Sequence, residues 1–346
     1  MPLINWARSL VVCLFVLFPL EMRASSVQGA VVTRVEGDAR ILFQKNAKPQ
    51  PVGTQSVQIE GQVYFVRPAK RGDRPSSGDF VIAGKDGKVR LIFRNGDQVT
   101  VSPDSAYKFS WESSDKNPVA DLLYGAVRAV ISPEGPRSGM QLKTRSAVMG
   151  VRGTDFFASS WSKSGGSKVV VVRGKVALVP KEETTSSDVS FDKAVEVAAG
   201  SSGVMLSASS SPTKDEEASA KTPASPSRVS VASTTKEELV LVQQESSVSK
   251  TKPSAADVST PIEQELAELE KTAKETTLSE IKLADPVLYA ALQKQGTNEL
   301  DSEDIQSASV KKVFEQAPSD SKSPRKPTLK DLETGGDVYE KYKWRN

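Results

Sequence analysis

The sequence predicts an all-β domain of successive β-hairpins, followed by a largely disordered tail that carries short α-helices. Three observations carry this expectation. Residues 27–205 alternate apolar and polar side chains at period two, broken by glycine-bearing turns. Residues 201–260 hold 22 Ser and Thr, no aromatic side chain, and Pro at 212, 223, 226 and 253. That stretch buries too little apolar surface to offset its ordering entropy, so 206–259 reads as a Ser/Thr/Pro-rich disordered linker. Only beyond Thr260 does a helical period return.

The chain starts with a targeting segment. Arg8 gives residues 1–26 a positive start, and Leu10–Leu20 is almost wholly apolar, the length of a signal core and too short to span a bilayer. Ala24, Ser25 and Ser26 offer small residues for cleavage. Two alternatives stay open: lipidation at Cys13, where Val12 occupies the position expected to be small, and retention as an uncleaved anchor. A cleaved chain is exported and free of thiols, so its stability does not come from disulfides.

In the head, Lys88–Ser102 is the clearest hairpin. A three-residue loop, Arg94-Asn95-Gly96, pairs Leu91 with Val99 and Val89 with Val101, keeping apolar residues on one side. Val169–Val179 reads as a second hairpin around Arg173-Gly174, and Val31–Leu42 as a third around Glu36-Gly37. The valine run 169–172 predicts a strand covered on both faces. Further strands are expected at 79–83, 120–131, 140–148, 154–159 and 194–199. Residues 45–77 read as a lengthened loop.

In the tail, Thr260-Pro261-Ile262-Glu263 has the pattern of a capping box with Pro at the first helical position. Ile262, Leu266, Leu269 and Ala273 follow at helical spacing. Asp285-Pro286 opens a second helix ending at Gly296, and Ser302 with Ile305–Phe314 a third, placing short amphipathic helices over 260–316. Such helices are marginal alone; they form a bundle, dock on the head or fold on a partner. Residues 317–346 read as a flexible C-terminus, with Tyr339, Tyr342 and Trp344 among basic residues at its tip.

Charge and composition exclude several functions. The chain has no His, and its one Cys lies in the leader, which removes His-based triads, imidazole metal sites and thiol chemistry. No cofactor and no enzymatic activity are expected. The net charge of +3 is too small to indicate nucleic acid. It conceals a division: residues 27–205 carry about +7, 206–310 about −8 and 311–346 about +3. Solvated charges are the preferred reading of that division, and a weak, screenable contact between head and tether the alternative.

The order of these segments resembles the FecR domain, found in periplasmic parts of bacterial iron-signalling regulators and in other envelope proteins. The matching pieces begin with Gly29–Thr33 and Val35–Ala39, and continue through Gly78–Gly84, the 88–102 hairpin and Leu122–Arg128. Thr144–Phe156 follows, then Val172–Val176 and Val195–Gly200. The most specific is Val151-Arg152-Gly153-Thr154-Asp155-Phe156. The resemblance implies a β domain in the envelope. The anti-sigma segment of the family's sigma regulators has no room before the apolar run, and the polar tail does not look like their receptor-contacting domain.

Arg152, Gly153, Thr154, Asp155 and Phe156 are the candidate partner-binding or structural motif. The structural alternative has Gly153 meeting a backbone need, Phe156 packing inside, and Arg152 with Asp155 forming a polar pair or satisfying loop groups. Arg71-Gly72-Asp73 is a chance tripeptide in a charged loop, and Ser164–Lys168 a strand connector. Asp104, Asp115 and Asp121 are too scattered for a calcium loop. Trp111 and Trp161 either pack at the sheet edge or stack on sugar rings. The expected function is an exported, non-enzymatic binding module of the cell envelope, with an envelope protein or a cell-wall component as partner. The alternative is a periplasmic component that senses envelope state and relays it to a separate membrane regulator.

Overall fold

The computed structural model describes residues 29–44, 55–59, 61–110, 119–133, 139–162, 165–181, 189–206, 229–249 and 260–318. Residues 1–26, where the signal segment is expected, Trp111, residues 207–228 and 250–259, and the C-terminal tip lie outside them.

The described chain forms β1 (Ala30–Glu36), β2 (Ala39–Phe43), β3 (Ser56–Ile59), β4 (Gln62–Pro68), β5 (Phe80–Ala83), β6 (Lys88–Phe93), β7 (Gln98–Val101), β8 (Ser105–Ser110) and β9 (Val119–Ile131). There follow β10 (Met140–Lys143), β11 (Ala147–Val151), β12 (Thr154–Ser160), β13 (Ser167–Arg173), β14 (Lys175–Pro180), β15 (Val195–Ala198), β16 (Ser201–Met205) and β17 (Val229–Ser233). The helices α1 (Lys236–Ser246), α2 (Pro261–Ala284), α3 (Pro286–Gln295) and α4 (Ser302–Gln316) complete it.

The strands make two sheets packed face to face. The helix-facing sheet runs β1-β6-β7-β9-β12-β13-β16-β17, antiparallel throughout. The outer sheet runs β3-β4-β2-β5-β8-β9-β10-β11-β14-β15, antiparallel except for the parallel pair β9–β10. One core fills the space between them, with Val32, Leu91, Val99 and Val169 from one sheet meeting Ile41, Val81, Leu142 and Val176 from the other.

Strand β9 belongs to both sheets. Residues 119–124 pair with β8 or β10 in the outer sheet, and 125–131 with β7 and β12 in the helix-facing sheet. The crossover falls at Gly125, whose φ is 84°. A Cβ there would lie 2.2 Å from Ser105 Oγ and 2.3 Å from the Asp104 carbonyl oxygen, so both the conformation and the space require glycine.

The 88–102 hairpin has the expected register: Leu91 faces Val99, Val89 faces Val101, and Gly96 sits at φ 86°. The other two expected hairpins do not form. β1 pairs with β6, while β2 pairs with β4 and β5 in the opposite sheet. β13 pairs with β12 and β16, while β14 pairs with β11 and β15. Glycine turns at 37 and 174 are therefore corners between sheets. A glycine after an alternating strand permits either reversal, and the core settles which one buries both strands. The valine run is covered on both faces as expected: Val169 and Val171 join the central core, while Val170 and Val172 meet the helices.

Three further differences follow from context. The expected strand 140–148 divides into β10 and β11 at a turn where the Thr144 hydroxyl bonds the Ala147 backbone. The expected loop 45–77 contains the β3–β4 hairpin. Residues 229–246, inside the expected linker, form β17 and α1. The averaged composition hides the apolar run Leu239–Leu241 behind a Thr235/Glu238 capping box. Leu239 and Val242 pack with Phe157, Val170 and Val172. Leu266, Leu269 and Ala273 of α2 cover Val31 and Ile92, and Ile281, Leu292 and Ile305 join α2, α3 and α4. The molecule thus has three layers: outer sheet, helix-facing sheet and helices.

Candidate functional site: an arginine row beneath acidic helices

The antiparallel registers set polar side chains in a line across the helix-facing sheet. Arg34 on β1 lies opposite Arg90 on β6, Arg90 opposite Thr100 on β7, and Thr100 opposite Arg128 on β9. Arg173 on β13 lies opposite Asp155 on β12. Like charges directly opposite on a sheet repel, so this row requires counter-charges. The helices supply most of them, and Asp155 on β12 supplies the partner of Arg128.

Arg34 binds Asp301 at 3.0 Å, Glu270 at 3.6 Å and Glu303. Burial works against its charge, but Glu270, Glu303 and Asp301 outweigh burial and hold the guanidinium above its usual pKa. Arg90, 1% exposed, donates to Gln98 Oε1 at 2.5 Å, Ser302 Oγ at 2.6 Å and Glu303 at 3.2 Å. Gln98 links the layers: its Oε1 also accepts from Gln306 at 2.6 Å, and its amide donates to Thr277 Oγ1 at 3.0 Å. Arg128 makes a two-pronged pair with Asp155, both bonds 3.0 Å, and donates to the Gln306 carbonyl oxygen at 3.1 Å. At the edges Arg71 grips Glu263 at 3.0 and 2.6 Å, Arg74 binds Glu265, and Lys168 binds Glu238.

The pair Arg173–Glu280 is less completely satisfied than Arg128–Asp155. Its bond is 2.6 Å, yet Glu280 Oε1 and Arg173 Nη1 are buried without a hydrogen-bond partner. Burial pushes the Glu280 carboxyl up to about 7; Arg173 pulls it down, and Asp155 and Asp97 push it further up. The net direction is upward because one buried carboxylate oxygen has no donor to satisfy it.

The motif expected from sequence occupies a corner below this row. Arg152 is exposed, and Gly153, at φ 63°, carries the chain from β11 in the outer sheet to β12 in the other. The next corner packs directly on it, since a Cβ at Gly174 would lie 2.4 Å from the Gly153 carbonyl oxygen. The Thr154 hydroxyl lies 2.9 Å from the Lys175 carbonyl oxygen and 3.1 Å from that of Arg152. Phe156 is in the central core. Asp155 is fully buried and pairs with Arg128, where the sequence suggested Arg152 or loop backbone. The motif therefore meets the row through one residue, Asp155.

Residues 79–177 match the family model described as FecR protein. This segment is similar to FecR domains. It runs from the residue before β5 into β14 and contributes Arg90, Arg128, Asp155 and Arg173 to the row. Arg34 and all the acidic helices lie outside the match, which is narrower than the stretch carrying the sequence resemblance. No curated protein matches the chain. Two crystal structures of a "putative anti-sigma factor" from Parabacteroides distasonis are similar to it at 11% identity and a TM-score of 0.34. Those alignments cover 47% of this chain and 64% and 63% of the other.

Sequence reasoning missed the row because its members are scattered over 140 positions and align only once register and corners are known. One signal was available: a basic head and an acidic segment of similar magnitude in the same chain. The Arg71-Gly72-Asp73 tripeptide is a tight structural loop. Gly72 N donates to the Val32 carbonyl oxygen, and Asp73 accepts from Lys70 N and Arg67. Trp161 is half-buried, its ring against Gly166. Among the described residues no group of His, Cys, Asp and Glu could hold a metal, and no helix is long and apolar enough to cross a membrane.

Proposed function

We propose that this is an exported, non-enzymatic FecR-domain protein that acts as a protein-docking module in the bacterial cell envelope. The observation that supports this reading is the arginine row. It is a receptor surface for acidic helices, and the chain's own helices occupy it. The apolar ledges beside the row, Val31 with Ile92 and Phe157 with Val170 and Val172, complete the complement to an amphipathic helix. Helix-in-groove recognition uses this combination. In this reading Arg152–Phe156 serves the scaffold, with Asp155 orienting Arg128.

The occupant is attached directly to the surface it covers: two residues separate α1 from β17, the edge strand of the helix-facing sheet. Attachment within the same chain keeps the helices at high effective concentration over the row. A partner with a stronger acidic helix displaces them.

The test compares envelope partners captured by the wild-type protein and by Glu270→Lys/Glu303→Lys, which weakens the resident helices. Capture should rise in that variant and fall when Arg90→Glu reverses the row. A second reading, relay of envelope state to a membrane regulator, is favoured by the FecR match. Co-purification of an inner-membrane regulator supports that reading, and sedimentation with purified cell wall supports a wall partner. Equal capture by all three proteins overturns the docking reading.

A further inference from the structure

The opposite face of the sandwich carries a second charged row, in which cations outnumber carboxylates among the described residues. On the outer sheet Val66 of β4 lies opposite Leu42 of β2, Leu42 opposite Phe80 of β5, and Phe80 opposite Lys108 of β8. Lys108 faces Asp121 of β9, which faces Lys143 of β10. One line across six strands thus changes from apolar to charged. Tyr64 packs edge-on against Phe80 at 5.0 Å, and the Lys108 ammonium sits 5.0 Å from the Phe80 ring centroid.

A cleft of about 360 Å³ opens over the junction of the two halves. That volume is at the lower end of ordinary ligand sites. Its apolar wall includes Phe80 and Leu123. Among the described residues its charged wall holds four cations, Lys108, Lys143, Arg145 and Lys181, and one carboxylate, Asp121. Among the described residues Lys108, Lys143 and Arg145 have no ion pair to a carboxylate. Arg145 donates to a backbone carbonyl oxygen, that of Ser162. On the helix-facing sheet every arginine of the row has a carboxylate.

We infer that this cleft binds an acidic peptide segment of a partner protein, about four residues long, with an apolar residue at one end. Phe80 and Lys143 are three strand spacings apart, roughly 14 Å. An extended chain covers that distance in about four residues. The apolar residue rests on Ile82 and Leu123, the partly exposed apolar side chains beside the buried Phe80 ring, and carboxylates meet Lys108, Lys143 and Arg145. Lysines suit this task because their hydrated, flexible ammonium groups follow a mobile ligand. This inference does not depend on the arginine row, which lies across the core on the other sheet.

The test is calorimetric titration of the purified protein with acetyl-Leu-Glu-Glu-Glu-amide and its neutral counterpart acetyl-Leu-Gln-Gln-Gln-amide. The acidic peptide should bind at least about tenfold more tightly, and raising salt from about 0.05 M to 0.3 M should narrow the difference. Lys143→Glu/Arg145→Glu should weaken the acidic peptide at least about tenfold. Lys271→Glu, on the exposed side of α2, should leave it unchanged. Equal affinity for the two peptides, no binding of the acidic one, or indifference to the double variant overturns the inference. If the double variant does not fold, a photoreactive leucine in the peptide decides: cross-links to β5 or β9 support the cleft, and cross-links confined to the helices refute it.

Discussion

The two outer faces of the sandwich are built alike and used differently. Each carries cations in register across neighbouring strands. On the helix-facing sheet they are arginines, nearly fully buried, each tied to a carboxylate and most also to a neutral acceptor. On the outer sheet they are chiefly lysines, half-buried or exposed around an open cleft. The difference follows from the side chains. A guanidinium has five donors in a rigid plane and remains bonded on several sides when water is removed. An ammonium is strongly hydrated and costs more to bury. A closed face calls for the first and an open face for the second, so residue choice marks which surface is already occupied.

The largest effect is expected where both faces depend on one residue. Gly125→Val places a branched side chain at positive φ and into the Ser105 backbone, at the point where β9 passes between sheets. The expected loss is at least about 4 kcal/mol, seen as the urea midpoint or as failure to fold. If only one face lost its structure, β9 would not be the common support and the faces would be independent units.

Legibility in the sequence follows the same division. The 88–102 hairpin was readable because its turn and both strands are contiguous and its register keeps one face apolar. The sheet-switching corners at Gly37 and Gly174 were not, because alternation and glycine look the same in a hairpin and in a corner. Helices α2 to α4 were readable from Thr260-Pro261, Asp285-Pro286 and Gly296. Their docking was not, since it depends on arginines from four strands. At α2 the expected capping box is redirected: Thr260 caps the Glu263 N–H, but the Glu263 carboxylate turns to Arg71. Of the candidate motif only Asp155 reaches the arginine row, through a partner 27 positions away.

Next in size is Arg128→Ala. It leaves Asp155 charged, fully buried and unpaired, and should cost about 3–5 kcal/mol in equilibrium unfolding. Replacing the pair together by Met and Leu should recover much of that loss, because the desolvation cost then disappears. An Arg128→Ala protein of wild-type stability would show that the closed face is no more committed than the open one.

Glu280 gives the closed face a pH dependence. Its carboxyl titrates at about 7 when docked, against 4.5 for an unconstrained glutamate. The folded form then holds the proton more tightly, so stability from this group is complete below about 4.5, declines as pH rises, and levels off above about 7. Docking of α2 should therefore weaken by on the order of 2 kcal/mol across that window, read as a fall in the protection factors of α2 amides, that is, exchange rates corrected for their intrinsic rise with pH. Glu280→Gln should flatten the profile while leaving the fold intact. A slope that persists in Glu280→Gln would assign the effect to another group.

The smallest expected effect completes the comparison. Lys143 is a row member by register, as Arg128 is, but it is half-exposed and makes no ion pair among the described residues. Lys143→Ala removes one like charge from a cationic cleft and leaves no carboxylate stranded. The urea midpoint should move by no more than the equivalent of about 0.5 kcal/mol, in either direction. Affinity for the acidic tetrapeptide should fall instead. A loss of stability approaching that of Arg128→Ala would mean that Lys143 holds the outer sheet together. The open row would then be structural, and the difference between the faces would be one of exposure alone.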